Sequence, residues 1–239
     1  MTDTFEILRS RRGVLEQRLE ERGLLHTVSA ARFQLNRAVE DAIGDHAVGA
    51  ILEAGAGRSP YSAKLGDRAL SVITLDIDSS KDVDVISDVQ RMTEVPDESF
   101  DTVFSTQVLE HVERPQDAFS EFARVLKPDG ILILTAPHLS MVHEAPHDYF
   151  RYTRFGLGYL CDSNSFQVIE IRPIGGVLSF FGHVVSLGWL TTVGSIPGLF
   201  WPAWLLNYVF LVRGVDVLDR LLGLQAILPR DHLLVARRA

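Results

Sequence analysis

Disulfides are the first feature this chain excludes. Its 239 residues include a single cysteine, Cys161. That rules out an internal disulfide and any multi-cysteine metal site, and it suits a reducing cytoplasm. The expected role of Cys161 is that of a small helix residue. An excess of basic charge is missing as well: 23 Lys and Arg stand against 31 Asp and Glu, a net charge of −8. A general nucleic-acid binder needs the opposite sign to meet phosphates, so no nucleic-acid partner is expected. The N-terminus is polar and then mixed in charge, without the apolar core of a secretory signal, which predicts a cytoplasmic protein. The most unusual absence is local. Pro173 to Val212 contains no Asp, Glu, Lys or Arg, and His183 is its only side chain that titrates near neutrality.

What is present is organised around Ile51-Leu52-Glu53-Ala54-Gly55-Ala56-Gly57-Arg58-Ser59-Pro60. The apolar run Ala47–Leu52 reads as a buried strand, and Ser59 and Pro60 read as the N-cap and first position of a helix. Two glycines at such a turn allow backbone conformations closed to other residues and a close approach by a ligand. A carboxylate aimed at a phosphate would repel it, so Glu53 suits a ligand with a positive group. Pro60 also breaks the G-x-G-x-x-G dinucleotide fingerprint, which disfavours an NAD-dependent oxidoreductase.

Further strands are predicted at Leu70–Leu75, Val83–Ile86, Asp101–Ser105, Ile131–Thr135, Phe166–Ile171 and His232–Ala236. Helices are predicted at Ser59–Leu65, Pro115–Leu126 and Thr153–Asp162, with a turn at Lys127-Pro128-Asp129-Gly130. This alternation implies a doubly wound α/β fold with a mostly parallel, seven-stranded, Rossmann-like sheet. Residues 1–46 read as an N-terminal helical cover for the sheet edge or the active site. One amphipathic stretch there carries Phe5, Leu8, Leu15 and Leu19, and a second helix runs from Val28 to Ile43. Residues 47–172 form the cofactor-binding core, 173–230 an apolar helical insertion and 231–239 the last strand.

Glu53, Asp76 and Asp88 all fall at or just after strand ends. In a parallel sheet those ends share one edge, so the three can line one cleft. Asp76 lies about 20 residues past the glycines, where an acidic residue accepts from both ribose hydroxyls, and Asp88 can accept from an exocyclic amine. Together with Ser99-Phe-Asp-Thr-Val-Phe-Ser-Thr-Gln-Val-Leu-Glu-His-Val112 and Arg124-Val-Leu-Lys-Pro-Asp-Gly-Ile-Leu132, these residues make the chain resemble a class I S-adenosylmethionine-dependent methyltransferase of the small-molecule type. The resemblance covers about residues 47–172 and the last strand. It implies S-adenosylmethionine as cofactor. Glu53 would hold its methionine end, with Gly55 and Gly57 admitting it closely. Asp76 would take the ribose, Ile77 would pack on adenine, Asp88 would take the adenine amino group with Val89 beside it, and Gln107 would lie near the methionine end.

Methyl transfer needs a base only when the acceptor must lose a proton. His111, after the fourth strand, and His147, after the fifth, are the candidate catalytic residues, against the alternative that each is structural. No metal is expected. His143-Glu-Ala-Pro-His147 matches H-E-x-x-H, but Pro146 opposes the helix that this motif needs. In some quinone-pathway O-methyltransferases a Glu-His pair after strand four joins a further glutamate three residues earlier in binding a divalent metal; that position is Gln107 here.

The uncharged insertion admits three readings: a lid or subdomain over the acceptor pocket, a monotopic membrane element, or a transmembrane hairpin. Ile174–Thr191 and Leu199–Val212 are each short for a span, with Gly194, Pro197, Gly198 and Pro202 interrupting them. Homodimerisation through the same surface is a fourth option. Val215–Leu222 reads as an ordinary amphipathic helix. The expected function is methyl transfer to a small-molecule or lipid-like acceptor, with O-methylation preferred, in the cytoplasm or at the membrane face. The alternative is a non-catalytic cofactor-binding or membrane-associated accessory protein.

Overall fold

The structure, a computed structural model, describes residues 13–239, so Phe5 and Leu8 lie outside the described residues. The chain divides into two compact units. One combines the described residues up to Arg37 with Pro173–Arg230; the other combines Ala38–Arg172 with Asp231–Ala239.

The second unit holds a seven-stranded sheet: β1 (Gly49–Ala54), β2 (Ala69–Asp76), β3 (Val85–Ile86), β4 (Phe100–Thr106), β5 (Leu126–Pro137), β6 (Phe166–Ile174) and β7 (Asp231–Arg238). Their spatial order is β3-β2-β1-β4-β5-β7-β6. The pairs β1–β2, β1–β4, β2–β3 and β4–β5 are parallel, and β7 runs antiparallel to β5. The central strands β1, β4 and β5 read as apolar runs because both their faces are covered; Ile51, Leu52, Val103, Leu132 and Ile133 are fully buried. Helix α4 (Pro115–Val125) turns Ala118, Phe119, Phe122 and Val125 into that core, and each phenylalanine contributes roughly 2–3 kcal/mol by burial. Helix α5 (Arg154–Asp162) starts at the N-cap Thr153, whose hydroxyl accepts from the Gly156 amide at 3.0 Å. Cys161 is buried on this helix, and burial pushes its thiol up to about 12. Chain order reverses at β1, with β2 and β3 on one side and β4 and β5 on the other. In open α/β sheets, that switch point is where ligands bind.

Two local expectations fail for identifiable reasons. Ser59 is not a helix cap: it has φ +45° and gives its hydroxyl to Glu53, while helix α3 starts later, at Ser62–Gly66. Lys127–Gly130 is not a free turn between helix and strand. It is absorbed into β5 as an irregularity between the pairs Phe100–Leu126 and Thr102–Ile131. Lys127 anchors it through both Asp101 carboxylate oxygens at 2.8 Å.

The first unit is helical. Residues 13–20 (α1) and the start of α2 (Ala30–His46) join α6 (Val177–Thr192), α7 (Phe200–Leu206), α8 (Val215–Leu221) and α9 (Leu224–Ile227). Leu15, Leu19, Val28, Leu190, Phe200 and Ala203 form its buried cluster. Helix α6 begins at Val177 rather than Ile174, because Gly175 takes φ +61°. With the turn that follows it, Val177–Ser195 is long and apolar enough to cross a membrane by length and composition alone, although the α-helix itself ends at Thr192. Pro202 does not interrupt the second apolar stretch. It sits in the first turn of α7, where its missing N–H has no intrahelical partner to lose. The π-helical residues Asn207–Gly214 then carry that helix on towards α8.

Helix α8 inverts its expected polarity. Asp216 and Asp219 are buried, while Val217, Leu218, Leu221 and Leu222 are exposed. Asp219 faces inward because it caps α6: it accepts from the Gly176 and Ser179 amides at 3.0 and 2.9 Å and from the Ser179 hydroxyl. Asp216 pairs with Arg220 and accepts from Gln34 Nε2 at 2.9 Å.

Candidate active site

The carboxyl edge of β1 is built by its glycines. Gly55 has φ +75°, and a Cβ there would lie 2.4 Å from Val108 Cγ2, so no side chain fits. Gly57, at φ +56°, has open space where a side chain would project. Both Gly55 N and Ala56 N donate to the Leu75 carbonyl, at 2.8 and 2.9 Å, which folds the turn over the end of β2. Glu53 points into this turn at 3% exposure and accepts from Ser59 Oγ at 2.5 Å. Burial raises its pKa and the Ser59 bond opposes that rise. A cation brought beside Glu53 would favour the ionised carboxylate.

Asp76 ends β2 with one oxygen accepting from Gly57 N at 2.8 Å and the other from Asp78 N at 2.9 Å. Two of its roughly four lone-pair positions are thus used, which leaves two for a vicinal diol. Ile77 follows with 69% of its surface exposed. Asp88 lies just past β3, half-buried, and is held by Gln90 through N at 2.8 Å and Nε2 at 3.0 Å. Gln90 Oε1 in turn accepts from Arg114 N at 2.8 Å. Val89 is buried in the core cluster, so what it lends the edge is backbone rather than an exposed side chain. Gln107, past β4, sits at φ +54°, an uncommon conformation for a residue with a side chain. Its amide donates to Thr135 O at 3.1 Å and its Nε2 to Thr135 Oγ1 at 3.3 Å.

Beyond Gln107 the chain makes a short turn, Leu109–His111, against which the loop after β5 is tied. Tyr149 N and Phe150 N donate to Glu110 O at 2.8 and 3.3 Å, and Tyr152 Oη donates to Leu109 O at 3.0 Å. Inside the loop, Arg151 grips Asp148 with two bonds of 2.6 and 2.8 Å, and His143 N donates to Asp148 at 2.8 Å. The Arg151 guanidinium holds the Asp148 carboxyl well below the usual carboxylate range. His111 and His147 meet here: His111 Nδ1 is 2.5 Å from His147 O. His147 Nδ1 is 3.0 Å from Tyr149 Oη, which donates to Glu113 Oε1 at 3.0 Å. Residues 143–147 form a turn, not the helix that H-E-x-x-H requires. Glu110 and His143 were weighed from the sequence only in metal motifs that were set aside, and Tyr149 and Glu113 were missed. The signals were the Glu-His pair and a His-rich loop, which only the tertiary fold brings together.

Residues 52–134 match the family model of the methyltransferase domain. A probable S-adenosylmethionine-dependent methyltransferase of Mycolicibacterium smegmatis is 32% identical over 97 residues, covering 37% of this chain and 38% of that protein. This chain therefore spans well under half the length of that curated relative. Residues 52–134 thus carry a methyltransferase domain, and the curated relative they resemble is S-adenosylmethionine-dependent. Solved structures show the same fold at low identity. Geranyl diphosphate C-methyltransferase from Streptomyces coelicolor, in complex with Mg2+, geranyl-S-thiolodiphosphate and S-adenosyl-L-homocysteine, gives a TM-score of 0.58 at 14% identity, over 86% of this chain and 77% of that one. An S-adenosylmethionine-dependent methyltransferase from Mesorhizobium loti gives 0.52 at 14%, over 84% and 96%. The cyclase SpnF gives 0.57 at 17%, over 87% and 81%, so the methyltransferase fold also occurs in a protein named for another reaction.

The cofactor of this methyltransferase family is S-adenosylmethionine, and the edge fits it on its own geometry. The space over Gly57 is open, Asp76 keeps two acceptor positions, Ile77 is an exposed apolar platform, and the buried Glu53 carboxylate would gain from a cation. Glu53 and Gln107 would hold the methionine end, Asp76 the ribose, and Ile77 and Asp88 the adenine.

Proposed function

We propose that this protein transfers the methyl group of S-adenosylmethionine to an oxygen of a small, lipid-like acceptor. The observation that carries the reading is the edge of β1 and β2, where two positive-φ glycines, a buried carboxylate and an exposed isoleucine meet at the switch point of a methyltransferase domain. When bound, the cofactor supplies a methyl group already activated by its sulfonium. The protein's task is to align an acceptor with it and exclude water.

His147 serves as the base in this reading. A tyrosine hydroxyl has one hydrogen, and Tyr149 gives it to Glu113. His147 Nδ1 must then donate to Tyr149 Oη, which leaves Nε2 with a free lone pair to take the acceptor's proton. Desolvation and the Glu113 carboxylate raise the Tyr149 pKa, so the phenol stays a donor. His111 positions the site by clasping the His147 carbonyl. Radiolabelled S-adenosylmethionine incubated with lipid and metabolite extracts should label an acceptor, and His147→Gln should lower the rate about 100-fold with little change in cofactor affinity. Calorimetry that detects neither S-adenosylmethionine nor its demethylated product would sink the proposal.

The lipid-like character of the acceptor rests on the helical unit. Phe181, Val185, Leu205, Phe210, Leu221 and Ile227 are each more than half exposed, and α8 buries its aspartates while exposing its apolar residues. That is the polarity of a surface that faces hydrocarbon. The exposed Arg18 and Arg22 lie over the Phe200 and Trp201 rings, suited to anionic headgroups beside an apolar patch. In this reading the unit lies on the membrane face. The wild-type protein should float with vesicles containing anionic lipid, and the pair Phe210→Glu and Leu221→Glu should abolish flotation without loss of stability. A protein that stays in the aqueous phase at every lipid composition, as monomer or dimer, excludes it.

A further inference from the structure

Glu110 is the one fully buried carboxylate of the Leu109–His111 turn, and neither of its oxygens receives a hydrogen bond. What faces it is two imidazoles. His143 Nε2 lies 3.7 Å and His111 Nε2 3.9 Å from Glu110 Oε1. The rings stand edge to face, with centroids 4.8 Å apart and planes at 82°.

Each ring is fixed at its other nitrogen by a backbone carbonyl: His111 Nδ1 by His147 O at 2.5 Å and His143 Nδ1 by Met141 O at 3.1 Å. A carbonyl oxygen can only accept, so each Nδ1 carries the hydrogen. In the neutral rings both Nε2 atoms then present bare lone pairs to a buried carboxylate. Three electron-rich atoms, all within 4.8 Å of one another, converge with no donor among them. Such a cluster is unfavourable unless a cation lies at its centre.

We propose that Glu110, His111 and His143 form a binding site for a divalent transition-metal ion, zinc in particular. Two imidazole nitrogens and one carboxylate oxygen are the donor set of a borderline metal with one position open in a tetrahedral site, not of magnesium or calcium. Imidazoles that donate Nδ1–H to carbonyls and turn Nε2 inward have their tautomer and orientation set for coordination. Donors about 2.0–2.1 Å from a tetrahedral zinc stand about 3.4 Å apart, so the two Glu110 separations of 3.7 and 3.9 Å need a small contraction, while the set as a whole, spread within 4.8 Å, closes further when the His143 loop draws in. Gln107 takes no part, since its side chain is turned to Thr135. The third ligand instead comes from the loop after β5, which Asp148 and Arg151 hold in place. The site does not rest on the methyl-transfer reading.

The test uses the whole chain stripped with chelator and titrated with Co2+. The expected result is one equivalent bound, with visible absorption of a low-coordinate ion. Zn2+ should displace it and Mg2+ should not, and Zn2+ should raise the thermal unfolding midpoint. His143→Ala replaces a part-exposed loop residue and should remove the absorption with the far-ultraviolet circular dichroism unchanged. Glu110→Gln should weaken Co2+ binding at least about tenfold, and His138→Ala should leave it unchanged. Absence of the absorption band in the wild type overturns the proposal. So does a band that survives both His143→Ala and Glu110→Gln.

Discussion

Replacing Gly55 and Gly57 one at a time by alanine separates what the turn does for the fold from what it does for the cofactor. Both glycines have positive φ, and an alanine there costs about 1–2 kcal/mol in backbone strain. At Gly57 that is the whole structural cost, because nothing lies within 4 Å of the new Cβ. At Gly55 the new Cβ meets Val108 Cγ2 at 2.4 Å, Cγ1 at 2.8 Å and Cβ at 3.2 Å, so the whole valine must move. Overpacking of that kind adds about 1–3 kcal/mol. Gly55→Ala should therefore destabilise by about 2–5 kcal/mol in urea melts.

The double variant Gly55→Ala/Val108→Ala isolates the collision, since it keeps the strained φ and removes the valine's methyl groups. Its stability should exceed the sum of the two single effects by about 0.5–3 kcal/mol, the range of coupling between touching residues. Additivity within about 0.5 kcal/mol would refute the assignment of the cost to Val108. Gly57→Ala should cost only the strain of about 1–2 kcal/mol, yet lose S-adenosylmethionine affinity at least about tenfold by calorimetry, because its methyl group occupies the space the ligand needs. If Gly57→Ala bound the cofactor like wild type, the ligand would not lie over this turn.

Ile77 is largely exposed, so Ile77→Ser should change stability by less than about 0.5 kcal/mol. It should weaken S-adenosylmethionine binding about five-fold through lost apolar contact with adenine. His232, at the start of β7 and 5.6 Å from the His138 ring, has its pKa lowered to about 4 by burial, with the His138 charge adding to it. Between that value and the ordinary 6.5 the unfolded chain binds the extra proton, so stability is full above pH 6.5 and falls as the pH drops towards 4. The loss attributable to His232 at pH 5 is about 2 kcal/mol, and His232→Gln should flatten the urea-midpoint profile by that amount; an unchanged slope would contradict it. Asp148→Asn should loosen the 143–151 loop by halving the Arg151 pair, lowering methyl-transfer rate more than cofactor affinity; equal losses in both would count against the loop's separate role.

The sheet was legible because its chemistry is local and repeated. Apolar runs ending in Glu53, Asp76 and Asp88 fixed both the strands and the direction in which they end, and parallel pairing did the rest. The error at Ser59 has a physical cause. A serine before a helix can cap it or reach back, and a buried carboxylate six residues earlier is the stronger acceptor. At Lys127–Gly130 the turn residues leave their mark in Asp129 at φ +63°, but the segment belongs to β5, and the sequence did not reveal that Lys127 would lock it into the ladder through Asp101.

Two features lay beyond periodicity, for different reasons. The pattern of α8 shows two faces but not which of them turns inward. That depends on Asp219 finding the open amides at the start of α6, a contact between residues 40 apart in sequence. The His-rich loop posed the converse problem. Pro146 is a sound reason to reject a helical H-E-x-x-H, and the structure agrees that residues 143–147 are not helical. Yet rejecting the motif discarded the residue with it. His143 gains its chemistry from a carboxylate on another strand's turn, 3.7 Å from its Nε2. Spacing along the chain tests only the partners a helix would supply. A ligand set drawn from two loops is recognised by a buried acid left without donors, and that is a property of the folded chain alone.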